Sequence, residues 1–202
     1  MSHLLHHSKA ITLSTRAFGE GSLLCFLLTE NLGLIPALSQ GAREQTSKLR
    51  AHLQPLALIE ASFVKGKNGW RLTHAQEEKN FYTAFQTYPI LTSLWMRVFS
   101  LLSSLVAGEE ENNGLFSLVE EALRFSAEQL PTSSDINSFE QVLVLRILEN
   151  LGYIPSSTKL DLFSRTAEWS PSLLSSFRIH EKEALRAINE SLGHSGLASR
   201  VV

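Results

Sequence analysis

Apolar and polar positions along this chain change their period near residue 80. Before that point they alternate in short runs. In "AITLST", residues 10–15, Ala10, Thr12 and Ser14 alternate with Ile11, Leu13 and Thr15, the period of two that marks a strand with one buried face. "GEG" at 19–21 permits a tight reversal. "SLLCFLLT", residues 22–29, is apolar on both sides and predicts a central strand covered on both faces. A third strand, about Leu32 to Leu38, contains Pro36, and a residue that cannot donate to a ladder belongs at an edge or a bulge. A fourth runs from about Leu56 to Val64. "GKNG" at 66–69 then carries the Asn-Gly pair favoured in hairpins and leads into a fifth, "WRLTHAQ". Short strands in this number, with no long helix between them, predict a small closed or nearly closed barrel.

Beyond residue 80 the apolar positions recur at three and four. Leu91, Leu94, Trp95, Val98, Leu102, Leu105 and Val106 form the stripe of an amphipathic helix, with Pro89 at its start, where a missing N–H costs nothing. "NNGLFSLVEEALRFSAEQL" repeats the pattern through Leu115, Leu118, Val119, Ala122 and Leu123. "SFEQVLVLRILENLGY" is apolar nearly all round, as the central helix of a bundle should be, and Gly152 supplies its stop. A last helix, "HEKEALRAINESLG", opens with acids and is expected to end at Gly193. The fold class is therefore α+β: a barrel over residues 1–79 and a helical bundle over 80–202. "EEENNG" at 109–114 reads as a solvated loop within the bundle.

Composition changes this picture in one respect. The formal charge of −2 over 202 residues conceals an asymmetry. Residues 1–79 hold nine Lys/Arg against six Asp/Glu, whereas residues 80–202 hold nine against fourteen. Within the first half, residues 41–71 carry Arg43, Lys48, Arg50, Lys65, Lys67 and Arg71 against Glu44 and Glu60 only, a local basic patch. The greasiest window, "ILTSLWMRVFSLLSSLVAG", is broken by Arg97 and serines, so no membrane span is expected. "MSHLLHHSKA" is too short and polar for a secretory signal, which places the protein in the cytoplasm.

Catalysis needs convergent groups, and few are present. "GHSGL" at 193–197 puts serine at the wrong offset for a nucleophile elbow, and "GEG" lacks the rest of a dinucleotide fingerprint. The single cysteine, Cys25, lies among leucines and is expected to be a buried, inert thiol, so no disulfide or multi-cysteine zinc site follows. Glu109, Glu110 and Glu111 read as a solvated run, and His3, His6 and His7 as part of a frayed terminus. No metal, cofactor or enzymatic activity is expected. The basic patch carries more: barrels of this kind bind single-stranded nucleic acid with cations along the phosphates and aromatics against the bases. Scattered solubilising charge is the competing account. Trp70 shares parity with Leu72 and is expected in the core, while Phe18 beside the "GEG" turn is a candidate for exposure.

"ITLSTRAFGEGSLLCFLLTENLGLIPALSQGAR" resembles the opening of the bacterial RecO recombination mediators, with their "Y/F-G-E" turn, "LLT" strand, "G-x-I" turn and "K/Q-G-A-R". "SKLRAHLQPLALIEASFVKGKNG", "ENLGYIP" and "LGHSGLASRVV" are similar to later segments of the same family, in the same order. The resemblance implies an N-terminal OB-fold, a C-terminal helical domain and a non-enzymatic role in DNA repair and recombination associated with the nucleoid. That role comprises binding single- and double-stranded DNA, annealing strands, and helping RecA replace single-strand-binding protein together with RecR. Arg43, Lys48 and Arg50 fall on matching positions and become the leading DNA contacts; Lys65, Lys67 and Arg71 rest on charge and placement. Arg124, Arg146 and Arg178 are candidate anchors for the acidic tail of single-strand-binding protein, with solvated helix faces or structural pairs as the favoured account of each. The alternative is an interaction adaptor whose barrel holds such a tail instead of DNA. Many relatives place a cysteine-rich zinc module after "L-G-Y-x-P". Here "SSTKLDLFSRTAEWSPSLLSSFRIHEKE" has no cysteine, so Leu160, Leu162, Phe163, Trp169, Leu173, Leu174 and Phe177 are expected to hold the segment by packing.

Overall fold

The computed structural model describes residues 4–45, 47, 49–106, 108–129, 131–132, 134–154, 159–166 and 168–194. Two compact units are present, residues 1–116 and 117–202. Strands β1 (Leu5–Phe18), β2 (Ser22–Thr29), β3 (Gly33–Ser39), β4 (Ala57–Gly66) and β5 (Gly69–Asn80) close into a barrel in the order β1-β2-β3-β5-β4. All neighbours are antiparallel except β3 and β5, which run parallel and meet only at Ala37–Trp70 and Leu38–Arg71. Pro36 lies just outside that short contact and is exposed, so its missing N–H interrupts nothing between these two strands. The expected OB-type α+β architecture is what the chain adopts.

The barrel interior is filled by small and large apolar residues in turn, among them Ala10, Cys25, Leu27, Ile35, Ala37, Ile59, Phe63, Trp70 and Leu72. Each fully buried large side chain contributes roughly 2 kcal/mol of transfer free energy. On β1 the simple alternation fails. Ala10 faces inward, yet Ile11 and Leu13 are also buried, because helix α3 (Pro89–Leu105) covers the outside of this strand. A bulge between Thr12 and Ser14 shifts the register, so that beyond it the odd-numbered residues face inward, Thr15 opposite Cys25. The connection after β3 holds a short helix, α1 (Leu49–His52), which contacts β5.

Several boundaries differ from expectation. β1 begins at Leu5, so His6 and His7 are strand residues and not a frayed end: the His6 ring meets Trp70 edge-on at 5.1 Å, and His7 Nδ1 lies 2.9 Å from Ser62 Oγ. His3 is outside the described residues, and among those described no three potential ligands gather into a metal site. β5 continues through "EEKN" to Asn80, because Lys79 and Asn80 still find partners at Leu58 and Ala57 of β4. α2 (Phe81–Phe85) follows at once, capped by the Asn80 side chain. Pro89 opens α3 as expected.

The second unit carries most of α4 (Asn113–Gln129), then α5 (Ile136–Asn150), α6 (Asp161–Ser164), α7 (Pro171–Phe177) and α8 (Glu181–His194). α5 is buried nearly all round and touches α6, α7 and α8, the central position its composition predicts. Gly152, at φ +77°, ends it in the left-handed conformation. Gly193 does not end α8, which runs one residue past it. After α5, Leu160, Leu174 and Phe177 are buried as expected, but Leu162 is 78 % exposed. Arg146 adds a polar tie between this segment and α5: its guanidinium stacks on Trp169 at 4.1 Å and donates to the carbonyls of Phe163 and Glu168, each at 2.9 Å.

Candidate nucleic-acid interface

Basic side chains from separate loops are brought to the barrel by its strand order. The β1–β2 turn and the end of β3 are neighbours through β2, and the start of β5 is the neighbour of the end of β3. Arg43 ties the first two together. Its backbone N–H donates to Gly21 O at 3.0 Å and its Nη1 to Gly19 O at 3.1 Å, so the "QGAR" loop is fastened across the β1–β2 turn. Arg71, on the outer side of β5, donates to Gln40 Oε1 at 2.5 Å and so joins the same loop from the other flank. Arg50 is exposed on α1, the helix that touches β5, and Lys67 is exposed in the β4–β5 turn. Lys48 lies outside the described residues.

Lys65 is placed differently. It pairs in register with Trp70, whose side chain points into the barrel, and its ammonium sits 5.2 Å from the indole centroid at the mouth. There it also holds Glu109 at 2.5 Å. The hydrogen bond from Lys65 keeps the Glu109 carboxyl below the ordinary carboxylate range. The acidic run expected to be solvated is thus partly docked on the barrel, and Glu110 follows. A Cβ added to Gly33, itself at φ +70°, would meet Glu110 O at 2.3 Å, so only glycine allows this approach.

Aromatic placement follows the parity argument. Trp70 is 5 % exposed and belongs to the core, whereas Phe18 is 52 % exposed. Cys25 is buried and desolvation pushes its thiol up to about 12, which leaves it protonated and unreactive. Sequence reasoning missed Arg16. It is exposed on β1, and its guanidinium lies 5.3 Å from the Phe26 ring centroid. The i to i+2 spacing of Arg16 and Phe18 was the available signal, but a continuous strand through "STRAF" was needed to use it.

The model of the N-terminal part of recombination protein O matches residues 1–81. A DNA repair protein RecO from Flavobacterium johnsoniae is 30 % identical over 159 residues, which is 77 % of this chain and 65 % of that protein. Residues 1–81 thus match the N-terminal RecO family model, and the chain as a whole is similar to RecO proteins. A RecO from Heliobacterium modesticaldum is 36 % identical over 77 residues, 38 % of this chain and 28 % of its own, and one from Syntrophobacter fumaroxidans 25 % over 194 residues, 92 % and 75 %. The chain thus spans less than two thirds of the Flavobacterium and Heliobacterium RecO proteins.

The three arginines considered as anchors for an acidic tail are engaged within the chain, as the structural-pair account has it. Arg124 donates from Nε and Nη2 to Glu120 Oε1 at 2.9 and 2.7 Å, a pair one helical turn apart. Arg178 donates to Asp135 Oδ1 at 2.5 Å and to Ser134 Oγ at 2.7 Å while staying partly exposed. Arg146 is 2 % exposed, so it offers no surface to a partner, and its role is structural. Among the described residues, no helix is long and apolar enough to cross a membrane.

Proposed function

We propose that this chain acts in DNA repair and homologous recombination as a non-enzymatic mediator in the cytoplasm, at the nucleoid. The barrel binds DNA through its phosphates; the chain anneals complementary strands and, with RecR, assists RecA on strands coated by single-strand-binding protein. The observation that carries the reading is the fastening of the "QGAR" loop by Arg43 across the β1–β2 turn, beside Arg71. It supports a rim on which cations from distant parts of the chain meet one polyanion. Similarity to RecO proteins supports the biological setting.

The test is titration of a labelled oligonucleotide at several salt concentrations with the wild type and with Arg43→Ala/Lys48→Ala/Arg50→Ala. The expected result is an affinity loss of about tenfold or more with a shallower salt dependence; unchanged affinity removes the rim. A second reading, the adaptor that holds an acidic tail, is favoured by the docking of Glu109 on Lys65, since that cation already accepts a carboxylate. An acidic peptide that displaces the oligonucleotide, together with DNA affinity insensitive to the triple substitution, would select it.

A further inference from the structure

The barrel closes between β3 and β5 at Ala37–Trp70 and Leu38–Arg71. Because these two strands are parallel, the chain on either side runs back from those pairs toward one end of the barrel, β3 to Gly33 and β5 through the turn at 66–69 to Lys65. The acidic segment after α3 touches both sides of that opening. The Glu109 carboxylate lies 2.5 Å from Lys65 Nζ, and the Glu110 backbone lies so close to Gly33 that a Cβ there would meet its carbonyl oxygen at 2.3 Å. Each side of this seat is itself held. Thr29, fully buried, donates to Gly33 O at 2.6 Å and accepts from Leu32 N at 3.0 Å, which fixes the turn that presents the glycine. The Lys65 ammonium rests over the Trp70 ring. Glu111 is engaged elsewhere, accepting from Asn113 Nδ2 at 3.2 Å.

We propose that this segment is an autoinhibitory contact, in which the Glu109 carboxylate occupies Lys65 in place of a DNA phosphate and must be displaced before nucleic acid can use that cation. The proposal rests on the DNA-binding reading above and adds to it a competitor carried by the chain itself. An ammonium that takes a carboxylate oxygen takes a phosphate oxygen by the same charge-assisted hydrogen bond, so the two ligands exclude one another. Both side chains of the pair stay partly exposed, which keeps it weak enough to exchange and lets a phosphate reach it. The backbone seat at Gly33 does the rest. When the ion pair opens, Glu110 still holds its neighbour beside Lys65, so the carboxylate competes at a high effective concentration.

Binding of the full chain to a labelled oligothymidylate over a range of salt tests this. Glu109→Gln keeps the shape of the side chain and removes its charge; it should tighten binding about threefold, the size of one exposed ion pair, and steepen the salt slope by about 0.7. The gain should vanish when Lys65→Ala is added, because the freed cation is its source. Glu111→Gln removes the same charge two residues on and should leave affinity unchanged. The proposal is overturned if Glu109→Gln binds no better than wild type, if the gain persists without Lys65, or if Glu111→Gln gains as much, since bulk charge then explains it. A gain confined to a polyglutamate peptide, with DNA unmoved, overturns it in favour of the adaptor. Its failure is separable from that of the rim: weakened binding in the Arg43/Lys48/Arg50 variant with no response at Glu109 retains the rim and removes the competitor. A Lys65-dependent gain with no response to the triple substitution does the reverse, and no DNA binding by any variant at low salt removes both.

Discussion

A charged side chain enclosed in a helical core is stable only when its donors find acceptors, and Arg146 meets that condition with two carbonyls and the Trp169 face. Burial pushes its pKa down to about 10, opposed by the Glu121 carboxylate, and it stays protonated at neutral pH. Trp169 is itself stacked near Phe125 and Phe139, so the arginine closes an aromatic cluster over a segment that has no metal-binding cysteine. Arg146→Ala would leave both carbonyls and the indole face without their partner. It is expected to destabilise the protein by about 3 kcal/mol, seen as a lower urea midpoint, and Arg146→Lys should recover only part of this because an ammonium lacks the planar fork. In the sequence Arg146 was visible as the lone charge inside "VLVLRIL", but spacing alone could not distinguish an exposed anchor from a buried tie. The acceptors come from residues 17 and 22 positions later, and only folding brings them near.

Element boundaries were legible where one face of an element is buried and blurred where another element covers the second face. α3 and α5 were readable because their burial is decided within a few turns, and Pro89 and Gly152 mark ends that the backbone itself requires. β1 was shortened in the sequence reading because its first residues are polar, yet they pair with β4 all the same. The connection between α3 and α4 is the clearest case of a segment influenced by its neighbour: the run of glutamates stays exposed, yet Glu109 pairs with Lys65 and the Glu110 backbone lies against Gly33. Its pH response has a definite sign. The Glu109 carboxyl titrates below its ordinary value in the fold, chiefly through the Lys65 hydrogen bond, so the contact stabilises fully above the unfolded value and is lost as pH falls through the folded one. The wild type should therefore be more stable than Glu109→Gln at neutral pH, by a small margin for so exposed a pair, and the two melting temperatures should converge on acidification. The same substitution releases Lys65, and the salt slope for oligonucleotide binding should steepen by roughly 0.7.

The whole molecule joins a net-positive stretch to a net-negative one, so its attraction to a polyanion is local and easily screened. If the six candidate cations each neutralise one phosphate of a single strand, the slope of log affinity against log salt is about −4. A value near zero in a salt titration would leave the patch without a polyanion. Length, the change of period near residue 80, the turn residues and the charge asymmetry are properties of the chain as written, and they suffice for a barrel followed by helices; the family likeness rests on the order of motifs such as "FGEG", "QGAR" and "ENLGYIP". They determine which residues are apolar and which charged because those are local facts. Which cations share a face is different, since it depends on the shear of a closed barrel and on bulges that shift parity by one. That geometry set Arg16 level with Arg71 and turned Lys65 toward the mouth and Trp70 into the core, while packing within the helical unit placed Arg146 out of reach of solvent. Alternation along one strand contains no information about which strand lies beside it; hydrogen bonding between distant segments supplies it.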